Sequence, residues 1–174
     1  MNINRSSIYR HIAREKGFTL VEIIIVIAIM AIMMGISVPS LVDWRKNANF
    51  RKTANEITSL LREARSMAIS KGLQHQVVLN PTSKCYQLQA FNIATNSFDA
   101  ASQTSCAPAD VSIRSNSAGT STAALTVIFK SNGTATITGP DGSTSGNASV
   151  NNASTQKYLV TVLQTGRVSS VKKN

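Results

Sequence analysis

The most constraining feature is a run of 21 residues from Phe18 to Val38, FTLVEIIIVIAIMAIMMGISV, that carries a single charge, Glu22. As a helix it would reach about 31 Å, close to the hydrocarbon thickness of a bilayer. Such a run cannot sit in the core of a small soluble domain, and the rest of the chain is too polar to cover it. Downstream the sequence is rich in Ser, Thr, Asn and Ala. Aromatic residues make up only 5%, so the core of the folded part must rest on Val, Ile, Leu and Ala.

Three readings compete for residues 1–38. A secretory signal peptide has a shorter apolar stretch followed by a small-x-small cleavage site, and no such site follows this one. A plain anchor fits the length but leaves Glu22 unexplained, since a carboxylate within a membrane helix costs about 2.5–3.5 kcal/mol, less near an end. The third reading takes the basic start, the small residue before the apolar run and the acid together. Lys16-Gly17-Phe18-Thr19-Leu20-Val21-Glu22 resembles the leader junction of type IV pilins and type II secretion pseudopilins. The resemblance implies that a prepilin peptidase cuts between Gly17 and Phe18 and methylates the new amino terminus of Phe18. It also implies that Glu22 pairs with the amino terminus of a neighbouring pilin or pseudopilin subunit, so that its burial is offset only on assembly. Gly35 and Pro39 both weaken helix, and Pro39 stands where many pilins carry a helix-loosening proline. A helix break is therefore expected at these two positions.

The formal charge is +10. The leader, residues 1–17, holds Arg5, Arg10, Arg14 and Lys16 against Glu15, so cleavage would leave +7. That balance suits contact with phosphates, acidic lipids or acidic subunits, although a solvated basic surface is the plainer explanation for any single cation. Arg45, Lys46, Arg51 and Lys52 follow the apolar run as closely as the leader precedes it, so the positive-inside rule does not fix orientation. The polar composition and the two cysteines place the carboxyl-terminal part outside the cytoplasm. Cys85 and Cys106 form an even pair in an exported domain, which reads as a disulfide worth about 3 kcal/mol, with two buried free thiols as the alternative.

Beyond Pro39, Phe50, Ala54, Ile57, Leu61, Ala64 and Ala68 recur at spacings of four and three, which predicts an amphipathic continuation of the helix over 39–72. Gly72 after Lys71 is a stop signal. Residues 73–174 read as a β-rich domain. Val77 and Leu79 begin a period-two pattern, Tyr86, Leu88 and Ala90 alternate with Gln87 and Gln89, Leu125, Val127 and Phe129 alternate next, and Ser131-Asn132-Gly133 supplies a turn into Ala135 and Ile137. Residues 139–155, with almost no apolar content, read as a mobile loop. Tyr158, Val160 and Val162 form another strand, and Gly166 turns the chain toward Val168 and Val171. One helix followed by short strands gives an α+β fold, a long helix packed on an antiparallel sheet.

The stretch 60–79, with its Ala64-Arg65 pair and Ala68-Ile69, and the stretch 159–171, with Gly166-Arg167, resemble the GspH/FimT branch of the pilin-like family. The resemblance implies a minor pilin or pseudopilin at or near a filament tip that helps initiate assembly. It also implies a single-pass protein of the bacterial inner membrane whose domain lies in the periplasm. Some FimT-like proteins bind DNA through a basic tail carrying Gly-Arg-x-Arg. Here Gly166-Arg167-Val168-Ser169 lacks the second arginine, so the alternative, DNA capture for uptake, rests on Arg167, Lys172 and Lys173.

No enzyme chemistry is legible. Asp43, Glu56, Glu63, Asp99, Asp110 and Asp141 have no partners at catalytic spacing. His75 is alone, and no phosphate loop or nucleophile elbow occurs. With His11 in the leader, the ligand set for zinc is too small. No metal or other cofactor is expected.

Overall fold

The computed structural model describes residues 17–153 and 155–173, without the side chains of 36–41. Residues 1–16 of the leader, with His11 and its four basic residues, lie outside the described residues. The first helix, α1 (Leu20–Lys71), starts two residues after Phe18. Its first turn is closed by Thr19, whose hydroxyl accepts the Glu22 N–H at 3.2 Å. Thr-x-x-Glu is a helix-start pattern, and the acid in the first turn favours the positive end of the helix dipole. Gly72, with φ +65, ends the helix in the left-handed conformation that glycine adopts without strain.

The break expected at Gly35 and Pro39 is absent, because α1 runs through both positions. Proline removes one backbone donor and crowds the preceding turn, yet a helix whose flanking turns keep their bonds is weakened there rather than ended. A side chain added at Gly35 would meet nothing within 4 Å, so no neighbour in the chain requires a glycine.

Two units divide the chain, Met1–Val42 and Asp43–Asn174. In the first, Phe18, Leu20, Val21, Ile23, Ile24, Ile25, Val26, Ile27 and Ile29 are all exposed by 45% or more. Among the described residues no helix is long and apolar enough to cross a membrane. The apolar sequence run continues through Val38, past Gly35, where the described side chains stop.

The second unit carries its own core. Its strands are β1 (His75–Asn80), β2 (Cys85–Asn92), β3 (Ser97–Phe98), β4 (Gln103–Cys106), β5 (Ser112–Arg114), β6 (Leu125–Phe129), β7 (Ala135–Thr138), β8 (Ser145–Asn152), β9 (Thr155–Leu163) and β10 (Val168–Lys172). They form two antiparallel sheets where the sequence pattern suggested one. The larger runs β3-β2-β1-β6-β7, with β4 also paired to β2; the smaller runs β10-β9-β8-β5. The helix stripe read from the sequence is the buried one. Phe50, Ala54, Ile57, Leu61, Ala64 and Ala68 share a cluster with Val77, Leu79, Tyr86, Leu88, Val127 and Phe129 of the larger sheet and with Val150, Val160 and Val162 of the smaller.

The segment read as a mobile loop, 139–155, holds β8, nearly all of it buried. Its alternation escapes a hydrophobicity scan because both faces are made of small or amide residues. On one face Gly146 lies so close to the larger sheet that an added Cβ would stand 3.1 Å from Ile137 and 3.2 Å from Leu125. On the other, Asn147, Ser149 and Asn151 are buried, and each donates a side-chain hydrogen bond, while Asn151 Oδ1 finds no partner among the described residues. Asn147 donates to Asp141 at 2.7 Å and accepts from the Thr161 hydroxyl at 2.8 Å. Ser149 donates to the carbonyl of Asn116 at 2.5 Å, and Asn151 to that of Gly119 at 2.7 Å.

Candidate functional site

Four places carry the residues singled out by the sequence. The first is the junction. Gly17 and Phe18 precede the helix without regular structure. Phe18 is 77% exposed and an added Cβ at Gly17 would touch nothing within 4 Å. Glu22 is exposed among the aliphatic side chains of the first turns. Sequence reasoning treated it only as a pairing group, whereas Thr19-x-x-Glu22 also starts the helix.

The second place gives the Ala-Arg and Gly-Arg signatures a physical meaning. Ala64, fully buried, lets the helix lie close to the sheet, and the next residue, Arg65, reaches two turns at once. Its Nε donates to the Gly133 carbonyl at 3.0 Å and its Nη2 to the Thr165 carbonyl at 3.4 Å. Gly133 ends the β6–β7 turn with φ +78, and Gly166 makes the β9–β10 turn with φ +77. A Cβ at Gly166 would stand 1.9 Å from the Gly133 carbonyl oxygen, so the two turns meet backbone to backbone. A further bond, from the Ala135 N–H to the Gln164 carbonyl at 2.8 Å, ties the larger sheet to the smaller at the same spot. Arg65 is a clamp across three elements, and its role is architectural.

The third place is the basic tail. Lys172 pairs with Tyr158 and Val168 with Val162 along β10. Arg167 precedes this strand and Lys172 ends it, five residues or about 17 Å away. The structure therefore does not bring Arg167 together with Lys172 and Lys173. It brings the two lysines to Lys157 instead, whose carbonyl accepts the Lys173 N–H at 2.9 Å. These three lysines surround a shallow cavity with Asn47, Phe50 and Tyr158. The place of Lys157 opposite the carboxyl terminus depends on the register of β9 with β10.

The fourth is an open groove beside α1, about 770 Å³, lined among others by Trp44, Arg51, Glu56, Tyr86, Gln103 and Tyr158. At its floor the buried Tyr86 hydroxyl donates to the Glu56 carboxylate, which also faces Lys52 at 3.8 Å. Burial, then the bond to Glu56 and its negative charge, push the Tyr86 phenol well above the ordinary tyrosine range. The neutral donor form is thereby held.

The cysteines are joined. Cys85 and Cys106 are directly paired across β2 and β4 and form a disulfide. His75 is buried in the central strand, with Nδ1 3.0 Å from the Leu73 carbonyl, and faces no acid or nucleophile at hydrogen-bond distance. Among the described residues no group of three His, Cys, Asp or Glu could hold a metal ion.

Comparison with known proteins follows the same division of the chain. Residues 12–38 match the prokaryotic N-terminal methylation motif, and residues 53–166 match the type II transport protein GspH. The second match spans well over half of the chain. The chain belongs to the GspH family of pilin-like proteins. A fimbrial protein of Pseudomonas aeruginosa is 34% identical over 70 residues, which are 40% of this chain and 44% of that protein. The chain thus matches less than half the length of that relative. Among solved structures, the fold is shared with the minor pseudopilin EpsH of the Vibrio cholerae type II secretion system. The TM-score there is 0.56 at 11% identity, over 74% of this chain and 96% of that one. The type IV minor pilin FimU of Pseudomonas aeruginosa gives 0.50 at 16% identity, over 70% and 91%. Both are minor subunits, and the fold of this GspH-family chain is that of a minor pilin or pseudopilin: a long N-terminal helix packed on antiparallel sheets.

Proposed function

We propose that this GspH-family protein is a structural subunit placed at or near the tip of a type IV pilus or type II secretion pseudopilus, where it helps initiate assembly. It is made as a precursor, cut by a prepilin peptidase between Gly17 and Phe18, and methylated on Phe18. Residues 18–38 hold it in the bacterial inner membrane until assembly, with the β-domain in the periplasm. The observation that carries the reading is the row of large aliphatic side chains from Phe18 onward, exposed on a helix that begins at the proposed cut. A surface of that size in a folded chain needs an apolar partner, which membrane and filament supply in turn. Within that surface Glu22 is the one charge, and pairing with the Phe18 amino group of an adjacent subunit would offset its burial. Gly35 and Pro39 supply a weak stretch of helix that can extend as the subunit enters a filament.

The DNA-capture alternative is not adopted, because Arg167 and the two tail lysines stand at opposite ends of β10. Mass spectrometry of the protein extracted from membranes tests the main reading. It should begin at a methylated Phe18; a chain still carrying Met1 would overturn the processing step and with it the assembly role.

A further inference from the structure

The fold gathers cations that the sequence scatters, and it gathers them at the start of the second unit. Lys157, Lys172 and Lys173 close around Asn47 and Phe50 of α1. The adjoining groove shares Asn47 and Tyr158 with that cavity and adds Trp44, Arg51 and Lys52. Arg45 and Lys46, both exposed, precede them on the helix. The acids at this end are Asp43, Glu56, Glu63 and Asp110. Glu56 is engaged by Tyr86 and Lys52, and Asp110 accepts from the Asn49 amide at 3.0 and 3.2 Å. Seven cations thus stand against four acids, two of them already partnered.

The aromatic residues here are of a particular kind. Trp44, the only tryptophan of the chain, is 68% exposed, an unusual state for a side chain of that size in a small domain. Tyr158 is half-buried beside it in the same groove. Exposed Trp and Tyr flanked by Lys and Arg are the composition of a membrane–water interface, where the ring sits among headgroups and the cations meet phosphates.

Chain length puts this group within reach. Six helical residues, about 9 Å, separate Val38 from Trp44, and nine, about 14 Å, separate it from Asn47. The headgroup zone is about 5–7 Å deep on each side of a bilayer, and the Debye length at physiological salt is about 8 Å. Chain length alone leaves Trp44 within reach of the headgroups, and Asn47 within about one Debye length of their outer edge. The stems of Lys157, Lys172 and Lys173 can extend their ammonium groups further.

We propose that the corner formed by Lys157, Lys172 and Lys173, with Trp44, Arg45 and Lys46, is a docking surface for anionic phospholipid headgroups. It rests on the reading that residues 18–38 span the membrane. Docking holds the β-domain against the bilayer before assembly, so that extraction into a filament must break several headgroup contacts as well as free the apolar helix. Naked phosphate on DNA offers the same anion, but the tethering of this corner to the membrane segment favours lipid.

The full-length protein should be reconstituted into vesicles of phosphatidylcholine alone and of phosphatidylcholine with phosphatidylglycerol at about 7:3. Insertion is read by resistance to alkaline carbonate extraction, and docking by amide hydrogen exchange over 155–173. Insertion is expected in both vesicles. Exchange at the end of β10 should slow at least fivefold with phosphatidylglycerol, a factor expected from each cation near an anionic surface. The protection should vanish at about 0.5 M salt. It should also vanish in K157Q/K172Q/K173Q and fall in K172Q/K173Q, whose two positions are exposed; circular dichroism checks that both variants fold. Equal exchange in the two vesicles, with insertion intact, refutes the docking surface and leaves the membrane reading standing. Failure to insert in either vesicle overturns the membrane reading and the docking proposal together. Protection by added double-stranded DNA but not by phosphatidylglycerol would refute it in favour of a nucleic-acid surface.

Discussion

Replacing Gly166 by alanine should be among the most damaging single-methyl changes in the β-domain. Two costs combine. A non-glycine residue held at φ +77 pays about 1–2 kcal/mol for the left-handed conformation. The added Cβ would also stand 1.9 Å from the Gly133 carbonyl oxygen and 2.8 Å from Arg65 Nε. The first neighbour is backbone, so the two turns must separate, and the Arg65 bond to Gly133, 3.0 Å long, goes with them. A hydrogen bond from a charged donor is worth about 1.5–3 kcal/mol, which brings the loss to about 3–5 kcal/mol. Gly142 provides the control. Its φ is +88, yet an added Cβ meets nothing within 4 Å, so Gly142→Ala should cost only the conformational part. Urea denaturation followed by circular dichroism, on a fragment beginning at Asp43 that holds every buried core residue, would separate the two. Gly166→Ala should exceed Gly142→Ala by about 2–3 kcal/mol. In an Arg65→Ala background that excess should shrink, since the same bond cannot be lost twice. Equal losses for the two glycines would refute the turn-to-turn contact as a source of stability.

Reducing the Cys85–Cys106 bond, or replacing both residues by serine, should lower the stability of the same fragment by about 3 kcal/mol, the loop-closure value for a separation of 21 residues; an unchanged urea midpoint would argue that β4 is held by its ladder alone. Asn151→Ala removes the donor to the buried Gly119 carbonyl and should cost about 1–3 kcal/mol, read as a drop in melting temperature. Tyr86 gives a pH signature. Its folded pKa lies above its unfolded one, so its contribution is fully present below about pH 10 and is lost as pH rises beyond that value, where only the unfolded chain ionises. Tyr86→Phe should be less stable at neutral pH and should flatten the alkaline decline; an identical decline in both proteins would assign it to other groups.

Where a strand alternates apolar with polar residues, as in Tyr86-Gln87-Leu88-Gln89-Ala90, its existence and facing were readable from the chain. The same is true of the Phe50–Ala68 stripe and of Gly72 as a helix stop. β8 was not, for a definite reason. Its inward face is Gly146, Ala148 and Val150, of which only Val150 is a large apolar side chain. Its other face is covered by residues 116–121, whose carbonyls accept from Ser149 and Asn151. The amide-rich composition that looked like a loop is the donor set that lets the strand be buried. The available signal was Gly146, Ala148 and Val150 alternating with Asn147, Ser149 and Asn151, without a single Lys or Arg. Arg65 was recognisable by family resemblance, but its bonds span 68 and 100 residues, and no local pattern reveals them. The lysine corner likewise depends on the pairing of Lys172 with Tyr158.

Glu22 shows why two roles for one residue must be weighed by magnitude. As an acid in the first turn of α1, capped through Thr19, it gains about 0.3–1 kcal/mol from the helix dipole. Placing its carboxylate among the aliphatic residues of a membrane costs about 2.5–3.5 kcal/mol near the centre and less toward an end. The helix-start role alone does not offset that cost unless the residue sits close to the surface, whereas an ion pair with the Phe18 amino group of a neighbour removes the uncompensated charge altogether. The two roles part under substitution. Thr19→Ala removes the hydroxyl that caps the helix and leaves the carboxylate, so processing and filament incorporation should persist with a loss of about 1 kcal/mol in helix stability. Glu22→Gln keeps size and polarity but removes the charge. If the cap were its whole purpose the variant would behave like Thr19→Ala. If pairing drives assembly, cleavage after Gly17 should proceed and the protein should disappear from sheared filaments while accumulating in the membrane. Normal incorporation of Glu22→Gln would leave the dipole as the only surviving reason for an acid at this position.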